Sequence, residues 1–94
     1  MYQIVITPSA KRSSKKMPRY IREAFVKQLQ RLKKDPYTGE RLSQPLSFLY
    51  SFHFKFKNVH YRAVYTIDTK AKQIIIHLTG PREGFYNRMR RLFR

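Results

Sequence analysis

Residues 48–86 read FLYSFHFKFKNVHYRAVYTIDTKAKQIIIHLTGPREGFY, and their alternation decides the fold. Side chains alternate across a strand, so Phe48, Tyr50, Phe52, Phe54 and Phe56 share one face while Ser51, His53, Lys55 and Lys57 share the other. Lys57-Asn58-Val59-His60 turns the chain, and Tyr61 to Ile67 returns with Arg62 and Thr66 on the side opposite Ala63 and Tyr65. A second turn spans Asp68 to Lys72. In the strand from Gln73 to Thr79, Ile74, Ile76 and Leu78 alternate with Ile75, His77 and Thr79, and Gly80-Pro81 ends it. Short turns make these three strands antiparallel. From Glu83 onward, Phe85, Met89, Leu92 and Phe93 fall at helical spacing and predict a short amphipathic helix.

Outward from this stretch, Tyr2 to Thr7 alternates and is rich in β-branched residues, which predicts another strand. Thr7-Pro8 reads as a helix cap followed by proline at the first helical position, opening a short basic helix to Lys16. Pro18 opens a longer helix to about Lys34, with Ile21, Ala24, Phe25, Leu29 and Leu32 forming one apolar stripe. Asp35-Pro36 stops it, and the segment to Pro45 reads as a surface loop. The order β-α-α-β-β-β-α predicts an α+β fold, one small domain over residues 1–94. Its antiparallel sheet carries helices packed on one face, against the phenylalanines. The other face, with Ser51, His53, Lys55, Arg62 and His77, reads as a working surface.

Charge narrows what that surface meets. The 94 residues carry 21 Lys and Arg against 5 Asp and Glu, a formal charge of +16. Self-repulsion at that density opposes compaction, which points to a polyanionic partner. Interleaving with 7 Tyr and 7 Phe suits RNA better than simple neutralisation of phosphate. Any one basic cluster can equally be a solvated face. There is no Cys, which removes disulfides, thiolate metal sites and a cysteine nucleophile. The five acids Glu23, Asp35, Glu40, Asp68 and Glu83 are scattered without ligand spacing, so no metal and no cofactor is expected. The opening residues are too quickly interrupted for a signal peptide, and no apolar run is long enough to span a bilayer. A cytoplasmic protein without a membrane partner is the expectation.

Four phrases carry a resemblance: Pro8-Ser9-Ala10, Asp35-Pro36-Tyr37, Tyr61-Arg62-Ala63-Val64-Tyr65 and Gly80-Pro81-Arg82-Glu83-Gly84-Phe85-Tyr86. In that order and spacing the chain resembles, over essentially its whole length, the RelE/ParE superfamily of bacterial toxins. The resemblance implies the toxin of a type II toxin–antitoxin pair, with a microbial-RNase-like fold, an acidic antitoxin as partner and a monomeric free state. Its RelE-like branch implies a metal-independent endoribonuclease, an mRNA interferase that cuts messages in the ribosomal A site. Its ParE branch implies a DNA gyrase inhibitor without nuclease activity. By position, Arg62 resembles the strand arginine that contacts the scissile phosphate, Arg82 a second phosphate-binding arginine, and Tyr86 the tyrosine that stacks on or orients a base. Ser51 and His53 stand where lysines are expected in the best-known member, with Lys55 and Lys57 following two and four residues later. This departure leaves the general base open.

The chemistry implied asks for a base to take the 2′-hydroxyl proton, an acid for the leaving 5′-oxygen, and cations for the phosphorane. Histidine suits proton transfer near neutral pH and arginine offers a fork matched to phosphate oxygens. His53, alone or with Lys55, is the candidate base; Arg62, Arg82 and Tyr86 complete the candidate catalytic set. Each has a structural alternative: His53 as a solvated strand residue, Arg62 paired with Glu83, Tyr86 in the helix's packed face. His60 reads as turn surface and His77 as a hydrogen-bonded core histidine. Lys11, Arg12, Lys15, Lys16, Lys57, Arg88, Arg90, Arg91 and Arg94 are candidates for contact with ribosomal RNA phosphates, or else solubilising surface.

Overall fold

The computed structural model describes residues 1–93. Nine elements follow one another, eight of them strands and helices: β1 (Gln3–Ile6), α1 (Pro8–Lys15), α2 (Arg19–Lys34), a single tight helical turn (Pro36–Thr38), β2 (Glu40–Arg41), β3 (Tyr50–Phe56), β4 (Val59–Asp68), β5 (Gln73–Pro81) and α3 (Phe85–Leu92). Local chemistry explains the boundaries. The Thr7 side chain accepts a hydrogen bond from the Ala10 N–H and so caps α1, with Pro8 in its first turn. Pro18 is the N-cap of α2, and Asp35 ends that helix before capping the turn that follows. Lys57 and Asn58 both take positive φ, the conformation that a two-residue hairpin turn requires between Phe56 and its partner Val59.

The sheet order is β1-β5-β4-β3-β2. Strands β3, β4 and β5 are antiparallel as expected, but β1 joins β5 in parallel, so the sheet is mixed. The α1–α2 crossover makes this possible, since a parallel neighbour needs a long return connection. The segment read as loop between Asp35 and Pro45 contains β2, a two-residue edge strand that pairs Glu40 with Ser51 and Arg41 with Tyr50. A fully buried Tyr65 holds it there: its hydroxyl donates to the Pro36 carbonyl (2.7 Å) and accepts from the Gly39 N–H (3.1 Å). Tyr65→Phe should orphan both groups at a cost of about 1–3 kcal/mol. Urea unfolding measures that loss, and an unchanged midpoint would exclude Tyr65 as the anchor of β2.

Helices α1 and α2 cover one face. Ala10, Ile21, Phe25, Leu29 and Leu32 pack there with Phe52, Phe54, Tyr61, Ala63, Tyr65, Ile74 and Ile76. The expectation of helices on one face only is corrected by α3, which lies on the opposite face. A bulge causes this. Tyr65 pairs with Ile76 and Val64 with Leu78, so His77 is left without a partner and the alternation of β5 reverses after it. Leu78 therefore leaves the face of Ile74 and Ile76 and joins Leu49, Val64, Phe85 and Met89 in a second small core beneath α3. Phe48 is corrected too: it precedes β3, is exposed, and meets Phe93 edge-on at 5.7 Å instead of extending the aromatic stripe.

Candidate active site

What α3 leaves uncovered is the far half of that second face. His53 of β3 stands directly opposite Arg62 of β4, and Lys55 opposite His60 one pair nearer the hairpin turn. Direct cross-strand partners share a face, so His53, Lys55, His60 and Arg62 emerge together. Arg62 in turn faces Gly80 of β5. Arg82 lies just past the strand, its backbone N–H donating to the His60 carbonyl at 2.9 Å. Its charge, with those of Arg62 and His60, reaches the His53 ring.

The ring of His53 is held from behind. Ser51, buried one strand repeat away, places its Oγ 3.2 Å from His53 Nε2. This anchors one ring nitrogen and leaves Nδ1 for another partner. His53 is exposed, but desolvation of its ring by the surrounding side chains lowers the pKa below 6.5, and Arg62, Arg82 and His60 push it the same way, while Glu40 opposes them. Glu40 is the residue that reading the sequence missed. It sits on β2 opposite Ser51, and only the strand hidden in the loop brings it there. Glu40, Ser51 and His53 line a hollow of about 130 Å³ with Arg31, Thr38, Gly39 and Phe52. On the other side, Asn58, Val59, His60, Pro81, Arg82 and Glu83 border an open cleft of about 480 Å³.

Most of the other candidates lie away from His53. Tyr86 is exposed on α3 and packs against Arg90, whose guanidinium lies 5.6 Å from the ring centre. Because α3 starts at Phe85, Arg82 stays outside the helix and no helical turn joins it to Tyr86. Lys57 turns toward α2, its Nζ 4.9 Å from the ring centre of Tyr20. Lys11, Arg12, Lys15 and Lys16 are exposed on or beside α1, which packs on the face away from His53. Arg91 is exposed on α3, Arg88 is half-buried there, and Arg94 falls outside the described residues. His77 is the structural histidine, half-buried with its Nε2 2.9 Å from Thr66 Oγ1 and its ring edge-on to Phe93. Arg62 does not pair with Glu83: among the described residues the one ion pair is Arg19–Glu23. Nor do three His, Cys, Asp or Glu side chains converge there as a metal site would require. No described helix is long and apolar enough to cross a membrane.

Two expectations about acid follow. Burial also lowers the His77 pKa. A histidine whose folded pKa is depressed favours folding above the unfolded value, and that stability is lost as pH falls through the folded value. The protein should therefore lose stability as pH drops below about 6.5. His77→Gln should reduce the loss, and thermal unfolding at several pH values measures it. If His53 accepts the proton in catalysis, the rate should rise with pH along a limb centred below 6.5. His53→Ala should flatten that limb, and an unchanged profile would return His53 to a solvated strand residue.

A mixed five-stranded sheet with helices on both faces carries, on its open half, a histidine beside two arginines in a small and strongly basic protein. Residues 4–90 match the family model of the ParE-like toxins of type II bacterial toxin–antitoxin systems, and the chain belongs to that family. Among solved structures it is similar to the toxin–antitoxin complex RelBE2 from Mycobacterium tuberculosis, at 26% identity over 86% of this chain and 98% of that one, with a TM-score of 0.77. It shares its fold with the intact RelBE complex of E. coli (19% identity, 88% and 99% covered, TM-score 0.71). The same holds for the archaeal RelE–RelB complex of Pyrococcus horikoshii (18% identity, 87% and 96% covered, TM-score 0.58). No curated protein matches the sequence.

Proposed function

We propose that this toxin is a metal-independent endoribonuclease that cuts mRNA in the ribosomal A site by attack of the 2′-hydroxyl. The observation that carries the reading is the His53–Arg62 cross-strand pair, with Arg82 at its border and Ser51 behind the imidazole. In this mechanism a phosphate sits against Arg62 and Arg82. His53 takes the 2′-hydroxyl proton, the new P–O2′ bond forms as the P–O5′ bond breaks, and the 5′-oxygen leaves with a proton supplied from the Lys55–His60 pair. The products are a 2′,3′-cyclic phosphate and a free 5′-hydroxyl. The arginines hold the charge that builds on the phosphorane, where preorganised donors contribute most. The hollow beside His53 and the cleft beside His60 and Arg82 give room for the flanking nucleotides. Tyr86 stacks on a base, and the basic residues of α1 and α3 meet ribosomal RNA in the cytoplasm.

The test is primer extension on a message after brief expression. Discrete codon-positioned cuts support the reading, and their absence during growth arrest refutes it. The ParE-like description of the family model favours a second reading, a gyrase inhibitor that cuts nothing. Loss of DNA supercoiling by purified gyrase is its signature.

In either case the partner we propose is an antitoxin whose acidic, amphipathic segment folds onto the basic surface. A charge of +16 should make that association fast and strongly salt-sensitive. Stopped-flow mixing at rising salt measures it, and an association rate indifferent to salt would refute the electrostatic part.

A further inference from the structure

Gly80 carries more than the end of a strand. It is the direct partner of Arg62, so a side chain at position 80 would emerge beside that of Arg62. A Cβ there would lie 2.8 Å from one guanidinium nitrogen of Arg88 and 3.0 Å from the other. The guanidinium of Arg88 therefore lies over the bare Gly80 backbone, on the same face as Arg62. Two contacts keep it there: a 3.2 Å hydrogen bond to the Pro81 carbonyl, and the Phe85 ring, whose centre is 5.5 Å away. The Pro81 bond occupies one of the five N–H donors that arginine carries.

We propose that Arg88 is a third phosphate-binding arginine of the active site, gripping the RNA backbone next to the phosphate held by Arg62, and that Gly80 is required to let it approach. The proposal rests on the ribonuclease reading above. Three observations support it. Arg62, Arg82 and Arg88 gather around one strand end, and none of them pairs with a carboxylate among the described residues. Bringing like charges together without counter-ions raises the energy of the empty site and favours an anion between them. Finally, the guanidinium is placed by backbone and aromatic ring rather than left to sweep solvent, which lowers the entropy lost on binding.

The test uses the full chain and a ten-nucleotide single-stranded RNA whose 2′-O-methyl groups prevent cleavage, with affinity measured across a range of salt. A phosphate contact on a single strand contributes a slope of about 0.7 in log affinity against log salt. Arg88→Ala should remove about that much slope and weaken binding about 10- to 100-fold. Lys27→Ala, an equal loss of charge on exposed α2, should leave both unchanged. Arg88→Lys, which retains charge without the fork, should restore the slope but only part of the affinity. It also keeps the test decisive if truncation to alanine loosens α3. Gly80→Ala should weaken binding at least as much as Arg88→Ala, because its Cβ pushes the guanidinium away and the φ of +155° at this position strains any side chain. Wild-type slope and affinity in Arg88→Ala, with RNA bound and messages cut by the wild type, would overturn the role of Arg88 alone. A wild type that neither binds RNA nor cuts messages would overturn this proposal and the ribonuclease reading together.

Discussion

Arg62→Ala should reduce single-turnover cleavage of ribosome-bound message by about 10²- to 10³-fold, a loss of about 2.7–4 kcal/mol in transition-state stabilisation. Arg62 occupies the middle of the sheet, between His53 on β3 and Gly80 on β5. It is half-buried there and without a carboxylate partner among the described residues. Its removal thus breaks no ion pair, and the fold and antitoxin binding should survive. Arg62→Lys should recover only part of the rate, because an ammonium cannot present two parallel donors to phosphate. Arg82→Ala should fall in the same range. Its backbone hydrogen bond to the His60 carbonyl does not depend on the side chain, so the loop keeps its course. A variant lacking Arg62 that cuts at the wild-type rate would remove this residue from the site.

The largest stability effect is expected at Phe85. Its ring is 2% exposed and closes the second core with Leu49, Val64, Leu78 and Met89. Truncating a buried phenylalanine to alanine costs about 3–5 kcal/mol. Domains of this size are stabilised by about 5–15 kcal/mol in total, so Phe85→Ala should consume a large share of the stability and free α3 from the sheet. Phe85→Leu should retain most of it. Urea denaturation followed by circular dichroism measures the difference. An alanine variant as stable as the wild type would mean that α3 is not held by this core.

These residues also show where reading the sequence succeeds and where it stops. Alternation along residues 50–56 and 61–67 puts His53, Lys55 and Arg62 on one face, because the period of two is unbroken in both strands, although Val59 and His60, read as turn, are the first two residues of β4. The α2 stripe is equally legible, with Ile21, Phe25, Leu29 and Leu32 buried as a period near 3.6 requires. The bulge at His77 was not legible. Nothing in Ile-Ile-Ile-His-Leu announces that the alternation reverses, and one inserted residue moves Leu78 to the other core and α3 with it. β2 was hidden because two residues carry no periodicity, and its place is set by the Tyr65 hydroxyl 26 residues away. Glu40 beside His53 was hidden with it. Arg88 read only as one of several candidate contacts to ribosomal RNA phosphates, since only the path of β5 reveals that Gly80 leaves space for its guanidinium. Tyr86 is the opposite case: the resemblance implies a role for it, while its ring packs against Arg90 on its own helix.

Attack by the 2′-hydroxyl at His53 and Arg62 is tested most directly by end-group analysis of the cut message. Ribosome-bound message is incubated with the purified protein in EDTA, alongside the same message carrying a single 2′-deoxynucleotide at the cleavage position. Fragments ending in a 2′,3′-cyclic phosphate are expected from the all-ribose message, with no cut at the deoxy position. Cleavage at the deoxy position, or an intact message under conditions where the protein blocks supercoiling by gyrase, would contradict this mechanism.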